Sequence, residues 1–78
     1  MIDSVQVRMA RAALGWGVRD LAVNAGITAN TVSRFENGAD ALGNTIRKIQ
    51  RALEDAGIEF IDENGGGLGV RLKHRAIT

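Results

Sequence analysis

Between Thr28 and Arg34 the chain gathers side chains able to touch the edge of a nucleotide base: Thr28, Ala29, Asn30, Thr31, Ser33 and Arg34. An asparagine amide matches the donor and acceptor of adenine in the major groove. An arginine guanidinium matches the two acceptors of guanine, and an alanine or threonine methyl can rest on the thymine methyl. Taken singly, each of these residues is also what a solvated helix surface carries, so their meaning depends on the elements that present them. Other chemistries find little footing. The chain has no Cys, hence no disulfide framework and no thiolate metal site. Its one His, His74, falls in a polar tail and reads as a solvated side chain. No paired carboxylates, nucleophile–base set or metal cluster occurs at meaningful spacing, so the sequence predicts no enzyme and calls for no cofactor. The run Gly65-Gly66-Gly67 precedes neither a helix nor a Lys-Ser/Thr pair, so it reads as a chain reversal rather than a phosphate loop.

The stretch Val18–Asn37, VRDLAVNAGITANTVSRFEN, supplies the presenting elements. Leu21, Ala22 and Ala25 fall at helical spacing and give a first short helix one apolar side. Gly26 stands where that helix must stop, because glycine tolerates the left-handed conformation of such a turn. Thr28 can cap a second helix with its hydroxyl. Val32 and Phe35 point that helix back at the first, and Asn37-Gly38 ends it. The same pattern also fits a helical hairpin used only for packing.

With Ala22 at the close crossing, Gly26 in the turn and Leu21, Ala25, Ile27, Val32 and Phe35 at the apolar positions, this stretch resembles the helix-turn-helix of the Cro and lambda-type repressors, the XRE family. The resemblance implies a mainly α fold, a lambda-repressor-like bundle of four helices with a C-terminal β-hairpin. It also implies a sequence-specific, double-stranded DNA-binding transcriptional regulator that acts as a homodimer on a pseudo-palindromic operator. Ala29–Asn37 becomes the recognition helix, with Ala29, Asn30, Ser33 and Arg34 facing outward between Thr28 and Thr31. Arg11 and Glu36 fall where family members form an ion pair that orients the arginine near phosphate. Asn37 and Gly38 match the positions whose amides sit against the phosphate backbone. Gly17 replaces the more usual Ser or Thr cap, and Val18 replaces a Gln that often reaches a phosphate. Arg19, one residue on, is the residue able to stand in.

The rest of the chain fits around this unit. Ser4–Leu14 reads as a first helix with Ser4 as cap and Val7, Ala10 and Leu14 on one side; Gly15 ends it and Trp16 follows as a core plug. A fourth helix starts at Gly43 or Asn44 and runs to about Ala56. Ile46, Ile49 and Leu53 face inward there, and Arg47, Lys48 and Arg51 face outward. After Gly57 the period changes to two. Ile58-Glu59-Phe60 and Leu68, Val70 and Leu72 read as two strands joined by Asp62–Gly67. The sequence therefore divides into a helix-turn-helix domain (1–57), a hairpin (58–73) and a tail (74–78). Ile58, Phe60, Leu68, Val70 and Leu72 are the expected dimerisation residues, because a lone hairpin is marginal and its edges invite pairing. A protein partner bound through the hairpin, as in an antitoxin or adaptor, is the alternative reading.

Charge is weak overall at +1 but uneven. Residues 1–53 hold seven Arg and Lys against four Asp and Glu. Residues 54–64 hold five acids and no base, and the remainder holds three bases. The acidic block should face away from phosphate, with Arg8, Arg11 and Arg19 toward it. No apolar run approaches the roughly 20 residues of a membrane span. The first residues, MIDSVQVRMAR, lack the apolar core of a secretory signal. A cytoplasmic location and no membrane partner are expected.

Overall fold

Helix ends set the frame of this fold. In the structure, a computed structural model that describes residues 1–73, four helices precede a hairpin. They are α1 (Ser4–Leu14), α2 (Val18–Ala25), α3 (Ala29–Glu36) and α4 (Gly43–Asp55), followed by β1 (Ile58–Ile61) and β2 (Gly69–Leu72). The tail 74–78, with His74, lies outside the described residues. The mainly α fold with its C-terminal hairpin matches the expectation. Asp3, not Ser4, caps α1. Its carboxylate accepts the Val5 N–H at 2.8 Å, and its own N–H donates to Gln6 Oε1 at 2.9 Å. This reciprocal pair satisfies two donors at once, which a serine one residue later could not do.

The turn between α2 and α3 closes by local hydrogen bonds. Gly26 N–H reaches the Val23 carbonyl at 3.3 Å and Ile27 N–H reaches the Ala22 carbonyl at 3.0 Å. Gly26 sits at φ 72°, the left-handed conformation this double bond requires. The same arrangement recurs after α1 and after α3. Leu42, not Gly43 or Asn44, occupies the cap position of α4; it is extended and gives no side-chain hydrogen bond. The helix thus starts at Gly43 itself, so neither candidate stands at the cap position.

One apolar core joins all six elements. Val7 of α1, Leu21 of α2, Val32 of α3, Ile49 and Leu53 of α4 and Ile58 of β1 are its largest fully buried side chains. Ala22 is buried where α2 packs on α3 and α4, and Trp16 lies half-buried against the core. The hairpin is antiparallel, with Ile58 opposite Leu72, Glu59 opposite Arg71, Phe60 opposite Val70 and Ile61 opposite Gly69. It lies over α1 and α4, and Phe60, Val70 and Leu72 pack on the core. Leu68 falls outside β2 and stays exposed, because pairing closes at Ile61 and Gly69. Gln6 explains that closing point. Its side chain is 2% exposed, and Nε2 donates to the Ile61 carbonyl at 3.1 Å and to the Gly69 carbonyl at 3.0 Å. One amide from α1 thereby holds both strands where they part into the loop.

Candidate nucleic-acid interface

The outer side of α3 follows from its inner one. Val32, Phe35 and Glu36 are buried, so Asn30 and Arg34, one helical turn apart, share the exposed side. At the start of the helix Thr28 Oγ1 accepts the Thr31 N–H at 3.1 Å, and the two threonine hydroxyls share a hydrogen bond of 2.8 Å. Thr28 is exposed, whereas Thr31 and Ser33 are half-buried. Ala29, expected to face outward, is half-buried and packs on the core, since the first turn of α3 is drawn against the bundle. Arg34 lies at a surface depression shared with Thr31, Phe35, Asp40, Ala41, Leu42 and Thr45. Among the described residues it makes no ion pair.

Arg11 and Glu36 meet as the resemblance implied. Arg11 Nε donates to Glu36 Oε2 at 2.7 Å and Nη2 to Oε1 at 2.8 Å, a bidentate pair. Nη1 donates to the Trp16 carbonyl at 3.0 Å. The hydrogen bonding to Glu36 is the main reason that Arg11 is held charged above its ordinary value; desolvation works against it and Coulomb attraction with it. Glu36 is 6% exposed, so the pair fastens α1 to the end of α3 from inside. Arg8, three residues before Arg11 and hence beside it on α1, is exposed, as is Arg19 in the first turn of α2.

The end of α3 is closed by hydrogen bonds of its own. Asn37 N–H donates to the Ser33 and Arg34 carbonyls at 3.0 and 3.2 Å. Gly38 N–H donates to Phe35 at 3.0 Å, and Ala39 N–H to Arg34 at 2.9 Å. The Asn37 side-chain amide bonds the Ser33 carbonyl at 2.9 Å. In the free chain the Asn37 and Gly38 amides, expected against phosphate, donate to carbonyls at the helix end. Sequence reasoning also missed Gln6, and the only local sign of it was the cap formed with Asp3.

The expected dimerisation residues divide. Ile58 is 1% exposed and belongs to the core, while Phe60, Val70 and Leu72 are half-buried against it; Leu68 is open at 40%. The apolar side of the hairpin is thus turned inward. Among the described residues no cluster of three or more His, Cys, Asp or Glu is arranged to hold a metal, and no helix is long and apolar enough to cross a membrane.

Comparison with known proteins agrees with this geometry. A curated protein of Archaeoglobus fulgidus, named "Putative HTH-type transcriptional regulatory protein", is 36% identical over 61 residues. The match takes in 78% of this chain but only 20% of that protein, so the chain corresponds to about a fifth of its relative's length. A family model described as a helix-turn-helix domain matches residues 4–54, which run from the first residue of α1 to the last turn of α4. With its paired α2 and α3, its glycine turn and the Arg11–Glu36 fastening, the chain belongs to the helix-turn-helix domain family.

Proposed function

We propose that this chain binds double-stranded DNA sequence-specifically and regulates transcription, with α3 in the major groove. The observation that carries the reading is the exposed pair Asn30 and Arg34, on one side of a helix whose other side is buried and whose end is fastened by Arg11–Glu36. Side chains that hydrogen-bond base edges need such a rigid support, because a contact displaced by a fraction of an ångström no longer discriminates. Arg8 and Arg19 hold phosphates on either side. Selection of bound sites from a random duplex pool tests the reading. The expected result is a defined motif, and Arg34→Ala should weaken binding to it by about 1–3 kcal/mol and relax one or two positions. An unchanged motif in that variant would refute the assignment of α3.

The chain acts as a homodimer on a pseudo-palindromic site, with half-sites about 34 Å apart. The hairpin edge supports a specific joint. The bond from Lys73 N–H to the Gly57 carbonyl, 2.7 Å, sets the phase of the ladder. Alternation then turns the N–H and C=O groups of Val70 and Leu72 toward the outer edge of β2. Antiparallel joining of two β2 edges centred on Val70 sets Leu68 of each copy opposite Leu72 of the other, and covers Leu68. Centring on Arg71 would set like charges face to face. Val70→Pro removes an outward N–H while leaving the hairpin's own ladder intact. Sedimentation should show it monomeric where the unmodified chain is dimeric. A variant that still sediments as a dimer would exclude this joint.

A further inference from the structure

The recognition surface leaves one charged region of the molecule unused. The core side of α4 is Ile46, Ile49, Ala52 and Leu53. On the opposite side, at about 100° per residue, Arg47, Lys48 and Arg51 stand exposed and with Asn44 line one shallow depression. Among the described residues none of these three cations makes an ion pair; the two ion pairs are Arg11–Glu36 and Glu59–Arg71. The acids of α4 come only at its far end. Glu54 borders the next depression with Arg47, Gln50 and Arg51 and accepts a hydrogen bond from Gln50 Nε2 at 3.0 Å; Asp55 follows it. At the near end, Thr45 in the first turn of α4 shares a depression with Thr31 and Arg34 of α3. Asp40 lines that same depression, so what lies beside α3 is the start of α4 itself, and the cations follow from Arg47 onward along the helix.

We propose that this side of α4 is a phosphate-binding stripe for the backbone of double-stranded DNA next to the segment that α3 reads. The inference rests on α3 being the recognition helix. From Arg47 to Arg51 the helix advances about 6 Å. With the reach of three long side chains added, a strand lying alongside can set one phosphate against each cation. A protein partner would call for apolar or aromatic anchors at the centre of the patch. Within α4 itself none of the exposed large apolar side chains occurs, and the exposed Leu42 at its cap stands at the end of the patch and not at its centre. The stripe reads no bases. It adds affinity that is uniform across sequences and lengthens the contact beyond the bases α3 reaches.

The test uses the full chain and the duplex that the unmodified protein selects, with anisotropy titrations between low and moderate salt. Neutralising the stripe with Arg47→Gln, Lys48→Gln and Arg51→Gln together should flatten the plot of log affinity against log salt by about 2.7, at 0.9 per phosphate. The selected motif should not change. Arg47→Lys with Arg51→Lys keeps the charge and should keep the slope, and thermal melts verify that both variants fold. A flattening of less than about 1.5 overturns the proposal, since fewer than two phosphates would then be held; the face is then left to an acidic protein. A changed motif overturns it too, because the stripe would be reading bases. If the unmodified chain selects no motif, the recognition reading fails and the stripe falls with it. If it selects one and the triple variant keeps the slope, the stripe alone falls.

Discussion

Replacing Arg11 by methionine should destabilise the protein far more than loss of an ordinary ion pair. The variant keeps most of the side chain's apolar length but removes three hydrogen bonds, two of them to a carboxylate. Glu36, 6% exposed, is left with its charge and no partner. Stranding one member of a buried pair costs about 3–5 kcal/mol. Arg11 is 22% exposed, so water can reach the vacated position. The lower end, about 3 kcal/mol, is expected. A chain of this length has a total stability of about 4–12 kcal/mol, so the change is a large part of it and should lower Tm by about 12–24 °C. The double variant Arg11→Met, Glu36→Met removes both charges and should recover most of the loss, giving a coupling of about 2–3 kcal/mol in a double-mutant cycle. Urea unfolding followed by far-UV circular dichroism, with a constant slope across the four proteins, measures each term. If Arg11→Met costs less than about 1 kcal/mol, the pair behaves as an exposed one. The claim that it fastens α3 to α1 would then be wrong.

Two further outcomes concern the packing. Gln6→Ala removes the side-chain bonds to the Ile61 and Gly69 carbonyls and to the Asp3 N–H, which together should cost about 1–3 kcal/mol. Hydrogen exchange should quicken in the hairpin more than in α2 and α3; uniform quickening would contradict a local clamp. Ala22→Leu adds bulk where α2 packs on α3 and α4, and should destabilise by about 1–3 kcal/mol through overpacking. An unchanged Tm would mean that those helices do not approach closely there.

The bounds of the helices were readable because they depend on neighbours in the chain. Gly15, Gly26 and Gly38 end three helices at positive φ, and the apolar spacing of Leu21, Val32 and Phe35 fixes which sides pack together. Once those sides are inward, Asn30 and Arg34 must be outward, so the candidate reading surface was legible from a helical period of 3.6. The Arg11–Glu36 pair was legible only through resemblance, since nothing in either residue's surroundings in sequence links them across 25 positions. What the chain's neighbours could not decide was the fate of groups with two possible partners. The amides of Asn37 and Gly38 suit a phosphate or their own helix end, and in the folded chain they donate to the helix carbonyls. The apolar side of the hairpin suits a second copy or the bundle, and it turned to the bundle because Ile58 completes the core beside α4. Gln6 reads as a surface residue until residues 55 and 63 positions away bring their carbonyls to it. Such long-range choices depend on which buried groups the finished core leaves without water, and only the tertiary structure sets that.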